Sequence, residues 1–353
     1  MSAIAMARHR NLWLVSAKFD LTFLIGSAGL AAVPMGLYYG FGVSTTAINY
    51  LVAALVGGPH LYSTYGLNFI DGSFRKRFPQ IVWPSLIIPP IVLFLALNHL
   101  SLLLTIFFFS ASLHVLHQLG CLADSYRHKD ARPRSAWNRL VDYGLIFTAL
   151  YPAASQKLIA GQFFVANRVI AVPDIAKQEW IPGLVTALFA CFAVAFVVKT
   201  VKEYREDRFN LPATVLIATA TVVSTLIPRF SNLDVAFQGY NTWHSFQYLA
   251  LVWLMLKLRR EHGEMDSRLM ARTSPRAWTF YGMNLGFTAA AVALIFLLQY
   301  GFGFAPQPAY YSVVLGSLLI HYYLDVFNFR RYGQLLSEPS ARELGTAARR
   351  AAA

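Results

Sequence analysis

Residues 101–123 read SLLLTIFFFSASLHVLHQLGCLA, a run without one charged side chain. As an α-helix rising 1.5 Å per residue it would extend about 34 Å, enough to cross the ~30 Å hydrocarbon core of a bilayer. Two histidines lie inside it. His114 and His117 are three residues apart and share a helix face, with Ser110 and Cys121 on the same stripe. Imidazole is costly in hydrocarbon unless it is paired or ligated, so a histidine inside a span marks a functional site by default. The stretch therefore reads both as a spanning helix and as a carrier of chemistry.

The rest of the chain repeats the pattern. It is 56% hydrophobic and 13% charged, with a mean hydropathy of +0.47, too apolar for an ordinary soluble domain. Spans are predicted at 20–41, 47–70, 81–98, 101–123, 140–164, 181–200, 211–229, 235–257, 278–300 and 308–329. The expected fold is all-α, a polytopic membrane helical bundle of about ten transmembrane helices. Residues 20–330 are expected to form a single transmembrane domain, 1–19 a cytoplasmic N-terminal segment and 331–353 a cytoplasmic tail. The first twenty residues have no compact apolar core followed by a small-residue cleavage site, which fits a retained segment rather than a signal peptide.

A net charge of +13 would draw attention to nucleic acid, but the basic residues sit at helix ends rather than in a soluble basic domain. With the N-terminus inside, all of the 30 Lys and Arg except Lys157, Arg168, Lys177 and Arg229 fall on the cytoplasmic side. That asymmetry is the positive-inside pattern and puts both termini in the cytoplasm of a bacterial-type inner membrane. The two cysteines, Cys121 and Cys191, lie in apolar segments and form neither a disulfide scaffold nor a cysteine-based zinc motif.

Five histidines fall inside spans: His60, His114, His117, His244 and His321. Each precedes a basic helix end by nine to fifteen residues, Arg75, Arg127, Lys257 and Arg330 in turn. Their imidazoles are thus expected roughly 14–22 Å from those ends, at one depth. All five lie on spans two, four, eight and ten, which run in the same direction. Common depth and common direction predict one metal centre ligated by these five residues.

Neighbouring residues sharpen the expectation. In span two, Gly57, Gly58 and Pro59 should loosen the helix just before His60, and with Gly66 leave room for a cleft beside it. Thr64 and Asn68 continue the polar stripe towards Asp71. In span eight, Gln247 shares a face with His244 and is expected to bind the imidazole or a polar end of substrate, whereas Trp243 and Tyr248 read as packing residues. In span ten, Asp325 lies four residues after His321, where a carboxylate can orient the imidazole or ligate directly; the rival expectation is a pair with Arg330 or Arg331 at the interface. Lys157 should snorkel outwards, and Asp142 should cap its helix or meet a loop arginine.

Neutral imidazoles suit iron, copper, zinc or nickel rather than magnesium or calcium. No carboxylate adjoins a histidine as in the H-E-x-x-H motif of zinc hydrolases, which tilts the chemistry towards redox. The H-x-x-x-H and H-x-x-H-H boxes of membrane desaturases and hydroxylases do not occur in the chain. The expected function is a membrane metalloenzyme: a histidine-ligated non-haem iron oxidoreductase, mononuclear or dinuclear, of oxygenase, hydroxylase or desaturase type. Its partners would be a lipophilic small-molecule substrate and an electron donor, with no nucleic acid. The alternatives are a haem b and quinone redox protein, or a metal-ion or proton-coupled transporter whose pathway runs through the same histidines.

Overall fold

The computed structural model describes residues 12–130, 135–162, 164–165, 168–170 and 172–337. In chain order its main helices are α1 (Ala17–Gly40), α2 (45–70), α3 (Pro79–Asn98), α4 (Leu100–His128), α5 (Ala136–Thr148) and α6 (Tyr151–Ile159). There follow α7 (Trp180–Arg205), α8 (Leu211–Arg229), α9 (Leu233–Glu261), α10 (Ala277–Gly301) and α11 (Pro306–Ser337). Between them lie short helical turns and an antiparallel ladder of two residues a side, Phe164–Val165 with Arg168–Val169.

Among the described residues seven helices are long and apolar enough to cross a membrane: α1, α3, α4, α7, α8, α10 and α11. The remaining long helical segments are the polar ones. Helix α2 carries His60, Ser63, Thr64 and Asn68, and α9 carries Asn241, Thr242, His244, Ser245 and Gln247. The segment predicted as one span at 140–164 is broken by a turn between α5 and α6 and carries Asp142 and Lys157. The site residues His60, Thr64, His244 and Ser245 are among the polar residues that lower the hydropathy of α2 and α9.

The chain forms two compact units, one of Met1–Asn49 with Ala111–His244 and one of Tyr50–Ser110 with Ser245–Ala353. In the first, four charged side chains are buried together. Arg127 at the end of α4 lies 3.1 Å from Glu203 and 3.3 Å from Asp142; Lys199 pairs with the same Asp142, and Asn138 donates to Glu203 at 3.3 Å. Two cations and two anions cancel, which lets α4, α5 and α7 meet without burying a net charge. Asp142 thus meets an arginine at the end of α4 rather than in a loop, and a second cation besides. Lys157 donates to the Phe230 carbonyl at 2.5 Å. Helix α9 comes close to α1 at Gly239, where a methyl group would collide with the Ala31 carbonyl oxygen.

In the second unit Arg259 is the buried hub. It donates to Ser73 at 2.6 Å, to the Glu264 carbonyl at 3.2 Å and to Asp71 at 3.2 Å. Arg331 pairs with the Glu264 carboxylate, as does Arg77 at 3.1 Å. These contacts tie the ends of α9 and α11 to the turn after α2. Arg331 is therefore engaged away from Asp325.

Breaking a buried pair costs more than removing it whole. Asp142→Asn, which leaves Lys199 without its carboxylate, is expected to lower stability by about 3–5 kcal/mol. The double variant Asp142→Leu, Lys199→Met should recover most of that loss. Unfolding of the purified protein in detergent measures both.

Candidate metal centre

Helix α2 is not uniform. Its α-helical stretch Gly58–Tyr65 lies between π-helical turns at Ala53–Gly57 and Gly66–Ile70. Pro59 lies inside α2 and has no N–H for the preceding turn; the Leu55 carbonyl four residues back accepts from the Tyr281 hydroxyl at 2.6 Å instead. The extra residue of a π turn rotates the helix face that follows, a device common at functional sites. Here it sets the direction of His60. The two flanking glycines do not open a cleft. A methyl on Gly58 would strike Thr288 of α10, and one on Gly66 would lie 3.4 Å from Met270. The missing side chains are used for helix contact instead.

Four of the five span histidines come together. One nitrogen each from His60 on α2, His114 on α4, His244 on α9 and His321 on α11 all lie within 4.8 Å of one another, and all four residues are buried. The rings meet edge to face: His60 and His321 with centroids 4.6 Å apart, His114 and His244 with centroids 5.0 Å apart. Metal–imidazole bonds run about 2.0–2.1 Å, so opposed nitrogens on one ion stand roughly 4.2 Å apart. The observed spread exceeds that by a few tenths of an ångström. The donor set is four neutral nitrogens with no carboxylate among them.

His117 is not in this group. It is half-buried, with Nε2 3.5 Å from the Cys121 sulfur one turn further along α4. Three residues of an α-helix turn the side chain by about 300°, which leaves roughly 60° between the directions of His114 and His117. The i, i+3 spacing gives them a common side of the helix but not a common target.

Two hydroxyl contacts orient the first pair of rings. Ser245 Oγ lies 3.0 Å from His60 Nδ1, and Thr64 Oγ1 lies 2.7 Å from His321 Nδ1. Thr64 Oγ1 is also 2.7 Å from the Tyr248 hydroxyl, which donates to Asp325 Oδ1; Asn328 donates to that same oxygen at 3.0 Å. The Tyr248 hydroxyl donates to Asp325, so its single proton is committed there. Tyr248 must then accept from Thr64, and Thr64, its proton committed, must accept from His321 Nδ1–H. The proton on Nδ1 leaves the lone pair on Nε2, the form in which a neutral imidazole binds a metal through that atom.

Asp325 thus acts on His321 through two hydroxyls; its own oxygen is 3.6 Å from Nδ1. Gln247 is buried on α9 one turn beyond His244, and Gln118 donates to the His244 carbonyl at 3.3 Å. Tyr248, expected only to pack, is instead the central link, and its ring also lies edge-on to His60 at 4.7 Å. Trp243 does pack, against Tyr240 at 5.6 Å. Ser245 and Asn328 are additions that the sequence reading missed. For Asn328 and Tyr248 a signal existed: Asn328 follows His321 by seven residues and Tyr248 follows His244 by four, both helical-face spacings.

Residues 153–262 match a domain family of unknown function (DUF8320). The matched segment includes His244 but not His60, His114 or His321. No curated protein and no solved structure matches the chain.

The geometry separates the two α4 histidines. His114→Ala should strip bound metal, as should alanine at His60, His244 or His321, while His117→Ala should retain it. Elemental analysis of the purified variants reads this directly. Tyr248→Phe removes the link between Asp325 and His321 with little change of volume. It should weaken metal binding about 10- to 100-fold, in line with other partners of metal-bound histidines, measured by competition with a chelator.

Proposed function

We propose that this chain is a membrane-integral metalloenzyme, a non-haem iron oxidoreductase of oxygenase, hydroxylase or desaturase type acting on a lipophilic substrate. The observation that carries the proposal is the convergence of four buried imidazoles to within 4.8 Å of one another. All-nitrogen, uncharged donor sets favour redox-active first-row metals over magnesium or calcium. Iron held there would supply one-electron chemistry and the use of dioxygen. The chain's own part is to hold the ion, orient His60 through Ser245, fix the His321 tautomer through Thr64, and keep bulk water away. His60, His114, His244 and His321 are the proposed ligands. Gln247 is the candidate for orienting a polar end of the substrate, and Asp325 acts through Tyr248 and Thr64.

The burial of the site among apolar helices favours a lipophilic substrate arriving from the bilayer, where dioxygen also concentrates. In this proposal α2, the α5–α6 segment and α9 cross the membrane with the seven apolar helices. Both termini then face the cytoplasm of an inner membrane, in keeping with the positive-inside distribution of Lys and Arg. A haem fits less well. A porphyrin plane must pass between two axial nitrogens, and here two further imidazoles crowd that space. The test is elemental analysis with an optical spectrum of the gently purified protein. About one iron per chain without a Soret band is expected. A Soret band, or no transition metal, would overturn the proposal.

A further inference from the structure

Away from the histidines, α7 and α5 enclose a groove of about 690 Å³. Its floor is a stripe of α7 with Ala190, Val194, Val198 and Lys202 at successive four-residue steps, and Trp137 and Asn138 of α5 close its basic end. From Ala190 to Lys202 the helix rises about 18 Å. The groove is therefore roughly as long as one leaflet is deep, half of a ~30 Å core plus the start of the headgroup layer. Polarity is graded along it. The Ala190 end is apolar, the other end holds Lys199 and Lys202, and among the described residues no carboxylate lines it.

The two lysines are not equivalent. Lys199 is buried and satisfied by Asp142. Lys202 is 72% exposed, with Glu206 3.9 Å away on the next turn of the same helix. Trp137, also exposed, stands beside it, an aromatic where the polar and apolar layers of a bilayer meet. Helix α7 is itself the most apolar of the seven candidate spans, yet only 6% of its apolar window is buried within the protein.

We propose that this groove binds one anionic phospholipid, with an acyl chain along Ala190, Val194 and Val198 and the phosphate at Lys202, beside Trp137. A lipid without net charge would match the apolar wall but add less at Lys202, whose neighbour Glu206 stands 3.9 Å away. A second copy of α7 would have to bring its own lysine to the same end. The anionic lipid matches both halves of the gradient. This site is separate from the metal centre, and its occupancy does not depend on which metal is held.

Native mass spectrometry of the full chain, delipidated and then offered phosphatidylglycerol or phosphatidylcholine in detergent, tests the proposal. Phosphatidylglycerol should be retained about fivefold more, the ratio one lysine at an anionic headgroup confers. Lys202→Glu should abolish that preference. Ala195→Phe, which fills the groove from its apolar side, should reduce retention of both lipids. Gel-filtration profiles like that of the parent establish that each variant is folded. Equal retention of the two lipids, a preference that survives Lys202→Glu, or efficient disulfide dimers through Cys191, which lines the same groove, would overturn it.

Discussion

Everything at the candidate site depends on the direction of one hydrogen-bond chain. Tyr248 donates to the buried Asp325, so Thr64 must donate to Tyr248, and His321 must donate to Thr64. Each member has one proton to give, so no link can be reversed alone. The carboxyl group, three hydrogen bonds away from the imidazole in this chain, thereby decides which nitrogen carries the lone pair. The two inserted hydroxyls carry that orientation although Asp325 Oδ1 itself lies 3.6 Å from His321 Nδ1.

The same constraint explains which helices are polar. A bundle of uniformly apolar helices cannot hold an ion, because each ligand also needs a partner for its second nitrogen. Helix α2 supplies His60 and Thr64, and α9 supplies His244, Ser245 and Tyr248, so these two carry both ligands and supports. Their hydropathy falls in consequence. The π turns on either side of Gly58–Tyr65 belong with this arrangement, since they rotate one part of α2 without bending the whole helix. Thr288 against Gly58 then holds the rotated part in place by contact with α10.

Charge is handled differently from the neutral histidines. In the first unit Arg127, Lys199, Asp142 and Glu203 are buried as a neutral set, and in the second Arg259 and Arg331 share Asp71 and Glu264. Both sets lie at helix ends. Buried ion pairs give little net stability over apolar packing, but they punish any arrangement that leaves one partner alone. They select which helix ends meet.

The amino-acid sequence by itself determined the all-helical class, the apolar spans and four of the residues that converge, because hydropathy and helical periodicity are local properties of the chain. It also marked Asp325 as a residue acting on His321, since four residues along a helix place two side chains on one face. It did not separate His114 from His117. Both lie on one side of α4, and only the position of the neighbouring helices decides which imidazole has other nitrogens in reach. Nor did it show that Tyr248 is polar in its role, that Ser245 serves His60 rather than its neighbour His244, or that Gly58 receives Thr288. Those contacts join residues more than 180 positions apart or on separate helices, and no local spacing encodes them. Tertiary structure alone decided them, because a hydrogen bond of about 3 Å is set by where two helices cross and how each is rotated.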